Sequence, residues 1–529
     1  MWRKCRQHEV WTVTLICVAL MSSIVDAQLN DITQTPNTEN EGIKKSLAGQ
    51  VGAGQGDVLL PDSSIFIIQR DPFRAISRGR QLFQRKFQFE QGLGPRTDDG
   101  VGDIEADGSL GAGFGDSCAA CHGRPRGAAG FGGDVFTRPD SRDAPHLFGL
   151  GLQEMLADEI TQALRAIRQQ AIADAAATGV TKTRALISKG INYGSITAHP
   201  DGSVDTSAVQ GVDHDLRVRP FFAEGKTISI REFVVGAFNA EMGLESPDPL
   251  LAAATAGGSI VTPSGMTLDG SLDTIEGIPA QSPVHDNDND GVVNEIDPAL
   301  VDFVEFYLLN YFKPATYRQD LTTVLGRLKF QQFGCATCHI PNLLIDNDRR
   351  VADVETVYDP VNGVFNNLFA TAMPLFVEEN DFSGFPTLKA PAGGSFLVRN
   401  FFADLKRHDL GPKFWERNFD GTLQKEFMTE PLWGVGTTGP YGHDGRSVNL
   451  REVILRHGGE AQSARNSFAN APNFIQNWVI EFLQSLVIFG PPDTASNLSP
   501  GNPATPDYPQ RGHGSIDLTP LFNNPNDKE

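Results

Sequence analysis

Two short stretches decide how this chain must be built: Cys118-Ala119-Ala120-Cys121-His122 and Cys335-Ala336-Thr337-Cys338-His339. In each, two thiols stand three residues apart with a histidine directly after the second, which is the haem c attachment spacing. Two thiols so placed can add to the two vinyl groups of one porphyrin, and the adjacent imidazole is then held beneath the iron. Structural disulfides, a thioredoxin-like redox pair or a four-cysteine zinc site would also use paired cysteines. None of them calls for a histidine after both pairs. The remaining two cysteines, Cys5 and Cys17, lie in an N-terminal segment with the look of an export signal. Arg3, Lys4 and Arg6 precede the apolar residues 11–21, and Val25-Asp26-Ala27 is a small-residue cleavage site. Export to the periplasm or beyond suits haem c and is the expected localisation; no membrane span is expected once residues 1–27 are removed.

Composition sets the limits around these motifs. At 529 residues the chain exceeds one ordinary core, and about two to three domains are expected. Apolar residues make up 40% and charged residues 21%, which argues against a wholly disordered or polytopic membrane protein. Lys+Arg 44 against Asp+Glu 65 leaves a net charge of -21, so nucleic acid is excluded as a partner class and a basic protein is favoured.

Apolar periodicity predicts helices over 153–170, 228–242, 298–311, 450–457 and 473–489, while strand signals are few and short. The expected fold is mostly α: two cytochrome c-like haem domains with long loops and little strand. A weak repeat supports this, since Gly79-Arg80-Gln81-Leu82-Phe83 and Gly326-Arg327-Leu328-Lys329-Phe330 each precede a haem motif. The expected division is a signal over 1–27, a polar lead-in over 28–60, an N-terminal haem domain over 61–284 and a C-terminal haem domain over 298–490. A Pro- and Asn-rich tail, 491–529, closes the chain.

Between the domains, residues 285–297 have the pattern of a calcium loop. Asp286, Asp288 and Asp290 occupy positions one, three and five, Gly291 position six, and Asp297 position twelve; Val292 would give its carbonyl, and Asn294 its side chain. Asp297 is shorter than the usual Glu at that position.

Taken together, these motifs resemble the bacterial di-haem cytochrome c peroxidase superfamily, and more closely its di-haem oxidoreductase branch. Besides the two haem motifs and the calcium loop, the likeness rests on Leu147-Phe148-Gly149-Leu150-Gly151-Leu152, Glu241-Met242-Gly243 and Asp404-Leu405-Lys406-Arg407-His408-Asp409. It continues through Pro431-Leu432-Trp433-Gly434-Val435-Gly436, Tyr441-Gly442-His443-Asp444-Gly445-Arg446 and His457-Gly458-Gly459-Glu460-Ala461. The resemblance spans 74–490. It implies two covalently bound haem c groups, with His122 and His339 as proximal ligands. It also implies that His457, fourteen residues after His443, is the distal ligand of the C-terminal haem, with His408 and His443 as lesser candidates. Glu241 resembles the distal glutamate that moves a proton between peroxide oxygens during O–O cleavage. Met155, Met242 and His146 are the residues that could instead close the sixth position of the His122 haem.

Two departures stand out. Arg231 replaces a glutamine expected ten residues before the glutamate, and Phe221-Phe222 replace an aromatic pair position often held by Trp; Trp433 is the alternative electron relay. Three functions follow from the resemblance: reduction of peroxide with electrons from a small basic cytochrome or cupredoxin, activation of dioxygen on an organic substrate, or electron transfer without catalysis.

Overall fold

The computed structural model describes residues 51–87, 117–123, 129, 144–242, 244, 246–275, 296–311, 315–316, 319–354, 373–418 and 421–487. The export segment, the lead-in up to residue 50, calcium-loop residues Asp286 to Asn294 and the tail lie outside them.

Helix Pro298–Asn310 organises the larger core. Its sequence is apolar on every side, so burial on every side is its stable state, and residues from Ala299 to Asn310 are all buried. Asp297 caps it, its carboxylate accepting from the Ala299 amide at 2.8 Å, and Pro298 follows where no N–H is needed. Numbering the helices in chain order, α1 (Ser64–Arg70) and α2 (Pro72–Gln84) lead to α3 (Cys118–His122). Next come α4 (Leu150–Thr178), α5 (Ile230–Met242), α6 (Pro249–Thr255) and this central helix, α7. The α2 backbone rests directly on α7: a Cβ built at Gly79 would stand 2.0 Å from the Phe303 carbonyl oxygen.

The second haem motif follows α8 (Leu321–Gln332), and α9 (Leu450–Arg456), α10 (Gln462–Ala469) and α11 (Asn473–Gln484) close around it. Here Gly326 meets the Trp478 carbonyl, with 1.9 Å left for a Cβ. The glycines of the sequence repeat thus do the same thing twice, each letting the helix before a haem motif lie against a partner helix. A smaller apolar cluster, with Phe330, Phe402, Leu450, Phe468 and Phe482, fills this end. The large cluster is not confined to the N-terminal half, because Leu343, Ile345, Val398, Phe401 and Trp433 join it. Asn310 at the end of α7 fastens this crossing: its Oδ1 accepts from the amides of Val351 at 2.9 Å and Ala352 at 3.1 Å.

The expectation of a mostly α protein with little strand needs correction. Among the described residues, 40% are helical and 18% are strand, and the architecture is mixed α/β rather than plainly cytochrome c-like. Strand β1 (Lys182–Ser188) pairs antiparallel with β2 (Ile191–Ala198), and β2 with β3 (Val204–Asp205), forming a sheet against α4. The other pairs are two-stranded, such as Phe376–Glu379 with Leu388–Pro391 and Asn342–Ile345 with Phe396–Arg399. Strands of two to four residues show too few alternations for a period of two to register. Their hydrogen bonds also come from distant partners, which local pattern does not contain. The five predicted helices do form, though α4 runs beyond the predicted 153–170 at both ends and α11 stops at Gln484. No helix among the described residues is long and apolar enough to cross a membrane.

Candidate functional site

One cavity of about 1110 Å³ runs through the molecule, and Cys118, Cys121, His122, Cys335, Cys338, His339, His457 and Glu241 all line it. That volume exceeds the roughly 300–1,000 Å³ of an ordinary small-ligand pocket. The two motifs, 217 positions apart in the chain, therefore open on a common space.

Each motif is shaped by its local turn. Ser117 caps α3 by accepting from the Ala120 amide at 3.1 Å, and the single turn that follows brings Cys118, Cys121 and His122 together. In the second motif, Gly334 at φ 88° starts a 3-10 turn over Cys335–Thr337, closed by the His339 amide on the Cys335 carbonyl at 3.1 Å. The four cysteines form no disulfide. Burial pushes the Cys118 thiol up to about 12 and that of Cys335 to about 11, so both are neutral thiols at physiological pH.

The three histidines share one arrangement. His122 Nδ1 donates to the Pro145 carbonyl at 2.7 Å, His339 Nδ1 to Phe402 at 2.8 Å, and His457 Nδ1 to Val453 at 2.7 Å. A carbonyl can only accept, so Nδ1 carries the proton and Nε2 keeps its lone pair. This second bond is what a metal-ligating histidine needs, because it sets both tautomer and ring direction. Burial lowers the His339 pKa to about 4, and that of His457 also falls through burial, so both rings stay neutral. The residues present therefore fit two haem groups: a thiol pair and a correctly tautomerised imidazole at each motif, with His457 as a third imidazole on the same cavity.

His457 ends α9, which is held by Arg456. That guanidinium donates to Asp444 at 2.8 Å and to the Lys413 carbonyl at 2.7 Å, and lies over the Phe414 ring, which in turn meets His457 edge-on at 5.3 Å. The lesser candidates have other employment. His408 Nε2 donates to Asp404 at 2.9 Å and Nδ1 to Glu460 at 2.8 Å, leaving no lone pair for iron. Burial opposes its charge, but the Asp404 hydrogen bond and the neighbouring Cys338 outweigh it, raising His408 to about 11. His443 stacks on Phe427 at 3.9 Å with its Nε2 2.9 Å from Glu416.

Around Glu241, α5 presents Phe233, Val234, Gly236, Ala237, Asn239 and Met242 to the cavity. A Cβ at Gly236 would meet nothing within 4 Å, so there is open space beside this face. Of the residues that could close a sixth position, Met155 is a core residue whose sulfur accepts from the Arg349 amide at 3.1 Å. His146 donates from Nε2 to the Trp433 carbonyl at 2.9 Å, and its Nδ1 is buried. Met242 lines the cavity. Arg231, the first departure, does not line it: the fully buried guanidinium bonds Asp248 at 3.0 Å, Asp302 at 2.7 Å and Glu305 at 2.9 Å.

Sequence reasoning missed Glu430, an exposed carboxylate that opens on the cavity. Its place beside Pro431-Leu432-Trp433 was the available signal. Of calcium-loop ligands only Asp297 is described, and there it serves as the α7 cap.

Residues 343–486 match the family model described as "Di-haem oxidoreductase, putative peroxidase". No curated protein and no solved structure matches the chain. The matched stretch contains His408, Glu430, Trp433, His443 and His457, and takes in α9 and α11 whole. Over residues 343–486 the chain is thus similar to the di-haem oxidoreductases, in agreement with the resemblance of its motifs.

Proposed function

We propose that this protein is an exported di-haem c oxidoreductase that reduces hydrogen peroxide with electrons from a small basic redox protein. The observation that carries the reading is the shared cavity onto which both thiol pairs and three Nδ1-anchored histidines open. When bound, each haem supplies an iron that can pass single electrons and, where a coordination position is open, bind an oxidant. His339 and His457 would hold one iron between them, which suits storage of an electron. His122 holds the other, and Glu241 faces the same space from α5, where its carboxylate can take a proton from one peroxide oxygen and return it to the other. The reaction consumes two electrons and two protons per peroxide and yields two waters. Phe221, Phe233 and Leu308 give the site apolar walls.

The net charge of -21 would steer a basic donor, an attraction that weakens as salt rises. A calcium ion in the 286–297 loop would pin α7 through Asp297, whose carboxyl burial raises and a cation would hold ionised. The aromatic group Phe221, Phe222 and Phe233, with ring centroids 5.2–6.1 Å apart on the cavity wall, favours a second reading: dioxygen activated against an apolar organic substrate.

Turnover of peroxide with a reduced small cytochrome tests the first reading. Expected is steady oxidation of the cytochrome, abolished in Glu241→Gln. Oxygen uptake with organic product and no external reductant would instead establish the second. Two haems with every axial position filled, unchanged by cyanide, would leave electron transfer alone.

A further inference from the structure

The two proximal histidines are joined by a continuous hydrogen-bonded chain. His339 Nδ1 donates to the carbonyl of Phe402 at 2.8 Å. One peptide back, the Phe401 carbonyl accepts from the Leu432 amide at 3.0 Å. One peptide on, the Trp433 carbonyl accepts from His146 Nε2 at 2.9 Å. One peptide back again, the Pro145 carbonyl accepts from His122 Nδ1 at 2.7 Å. Three dipeptides and four hydrogen bonds therefore span the distance from one haem motif to the other. The Phe401 and Trp433 rings meet edge to face at 5.0 Å beside the middle segment.

The chain depends on His146. Its ring crosses between the Pro145 segment and the Leu432-Trp433 segment, and its Nε2–H is fixed by a carbonyl that can only accept. Burial lowers its pKa to about 4, so the ring stays neutral and does not change its bonding across the physiological range. Phe148 packs against it at 5.7 Å and Trp433 is almost fully buried, so the geometry is held by packing on both sides. Covalent segments and hydrogen bonds in series give a path without a gap of open space, and this one begins and ends on the imidazoles that follow the two thiol pairs.

We propose that His146 is the positioning residue of a through-bond route, His339–Phe402–Phe401–Leu432–Trp433–His146–Pro145–His122, by which one electron passes between the haems. The route rests on the two-haem reading above. One electron would pass from the group that His339 would hold to the group that His122 would hold, with no proton or bond exchanged. The Trp433 indole is a parallel contact; it is the Trp433 carbonyl that His146 engages.

The test uses the haem-loaded full chain and photochemical injection of one electron, followed by absorbance at the bands of each haem. His146→Phe keeps a ring but removes the donor, His146→Gln restores a donor of similar reach, and Trp433→Phe alters the indole while leaving the carbonyl. Expected is a fall in the inter-haem rate on the order of tenfold in His146→Phe, recovered at least in part in His146→Gln, with little change in Trp433→Phe. Haem content, spin state and both reduction potentials, measured alongside, should match the parent. An unchanged rate in His146→Phe with parental spectra overturns the route, as does a larger loss in Trp433→Phe than in His146→Phe. Failure of peroxide turnover in the parent would strike only the proposed reaction, since electron redistribution is read without any oxidant.

Discussion

His408 Nε2 lies 2.9 Å from the Asp404 carboxylate, one hydrogen bond away from the second haem motif, and Glu460 takes its other nitrogen at 2.8 Å. A histidine donating twice to carboxylates is an imidazolium; burial opposes the charge, but the Asp404 hydrogen bond and the adjacent Cys338 raise its pKa to about 11 from an ordinary 6.5. A group whose folded pKa is raised contributes stability that is complete below the unfolded value and fades as pH climbs toward the folded one. Replacing His408 with Phe should therefore cost on the order of 3 kcal/mol near pH 6, with the gap to the parent narrowing steadily by pH 9. Urea unfolding at the two pH values measures it; a gap that widens with pH would refute the assignment.

His457 and His443 were both sequence candidates for the distal position, and the structure separates them. His457→Ala should convert one of the two haems from low to high spin in the EPR spectrum, while His443→Ala should leave the spin states as they are. The Val453 bond to Nδ1 at 2.7 Å is the reason for choosing His457.

Glu241→Gln removes a proton carrier without changing shape. Peroxide turnover should fall by roughly 10²–10⁴-fold, the usual worth of a positioned acid–base group, while haem content and optical spectrum stay parental. Stopped-flow measurement with peroxide in excess gives the comparison. Equal turnover in the variant would remove Glu241 from the reaction.

Two glycines should respond in opposite ways to alanine. Gly326 leaves only 1.9 Å between a new Cβ and the Trp478 carbonyl, so α8 and α11 must part, at a cost of about 1–3 kcal/mol. Gly236 has nothing within 4 Å, and before haem attachment Gly236→Ala should stabilise α5 by up to about 1 kcal/mol through helix propensity alone. Chemical denaturation of both variants in the haem-free chain checks the contrast.

Arg231→Gln leaves Asp248, Asp302 and Glu305 buried without their cation. A loss of about 3–5 kcal/mol is expected at pH 7. Burial already raises the carboxyls of Asp302 and Glu305. An acid with a raised folded pKa favours the folded state as pH falls, so the deficit should shrink between pH 7 and pH 5. Thermal unfolding across that range reads the sign directly.

Glutamine was expected where Arg231 stands, and the sequence could not say why. The answer is a long-range one: the guanidinium neutralises carboxylates from Asp248 and from α7, residues 17 to 74 positions away, and faces away from the cavity. The same holds for His146, whose place in irregular chain four residues before α4 offered no hint of Trp433, 287 positions on. Helices were legible because their period repeats within a dozen residues; the short strand pairs were not, since each is stabilised by a partner that local pattern omits.

By itself the sequence determined the two thiol pairs, each with its histidine, which can be read from spacing because those groups act within one turn of chain. It also determined the glycines that let α2 and α8 approach their partners. Only the tertiary structure decided that both motifs open on one cavity, that His457 and not His408 keeps a nitrogen for iron, and that His146 bridges the proximal imidazoles. Those outcomes depend on which carbonyl or carboxylate reaches each ring nitrogen, and such contacts exist only once distant segments have packed.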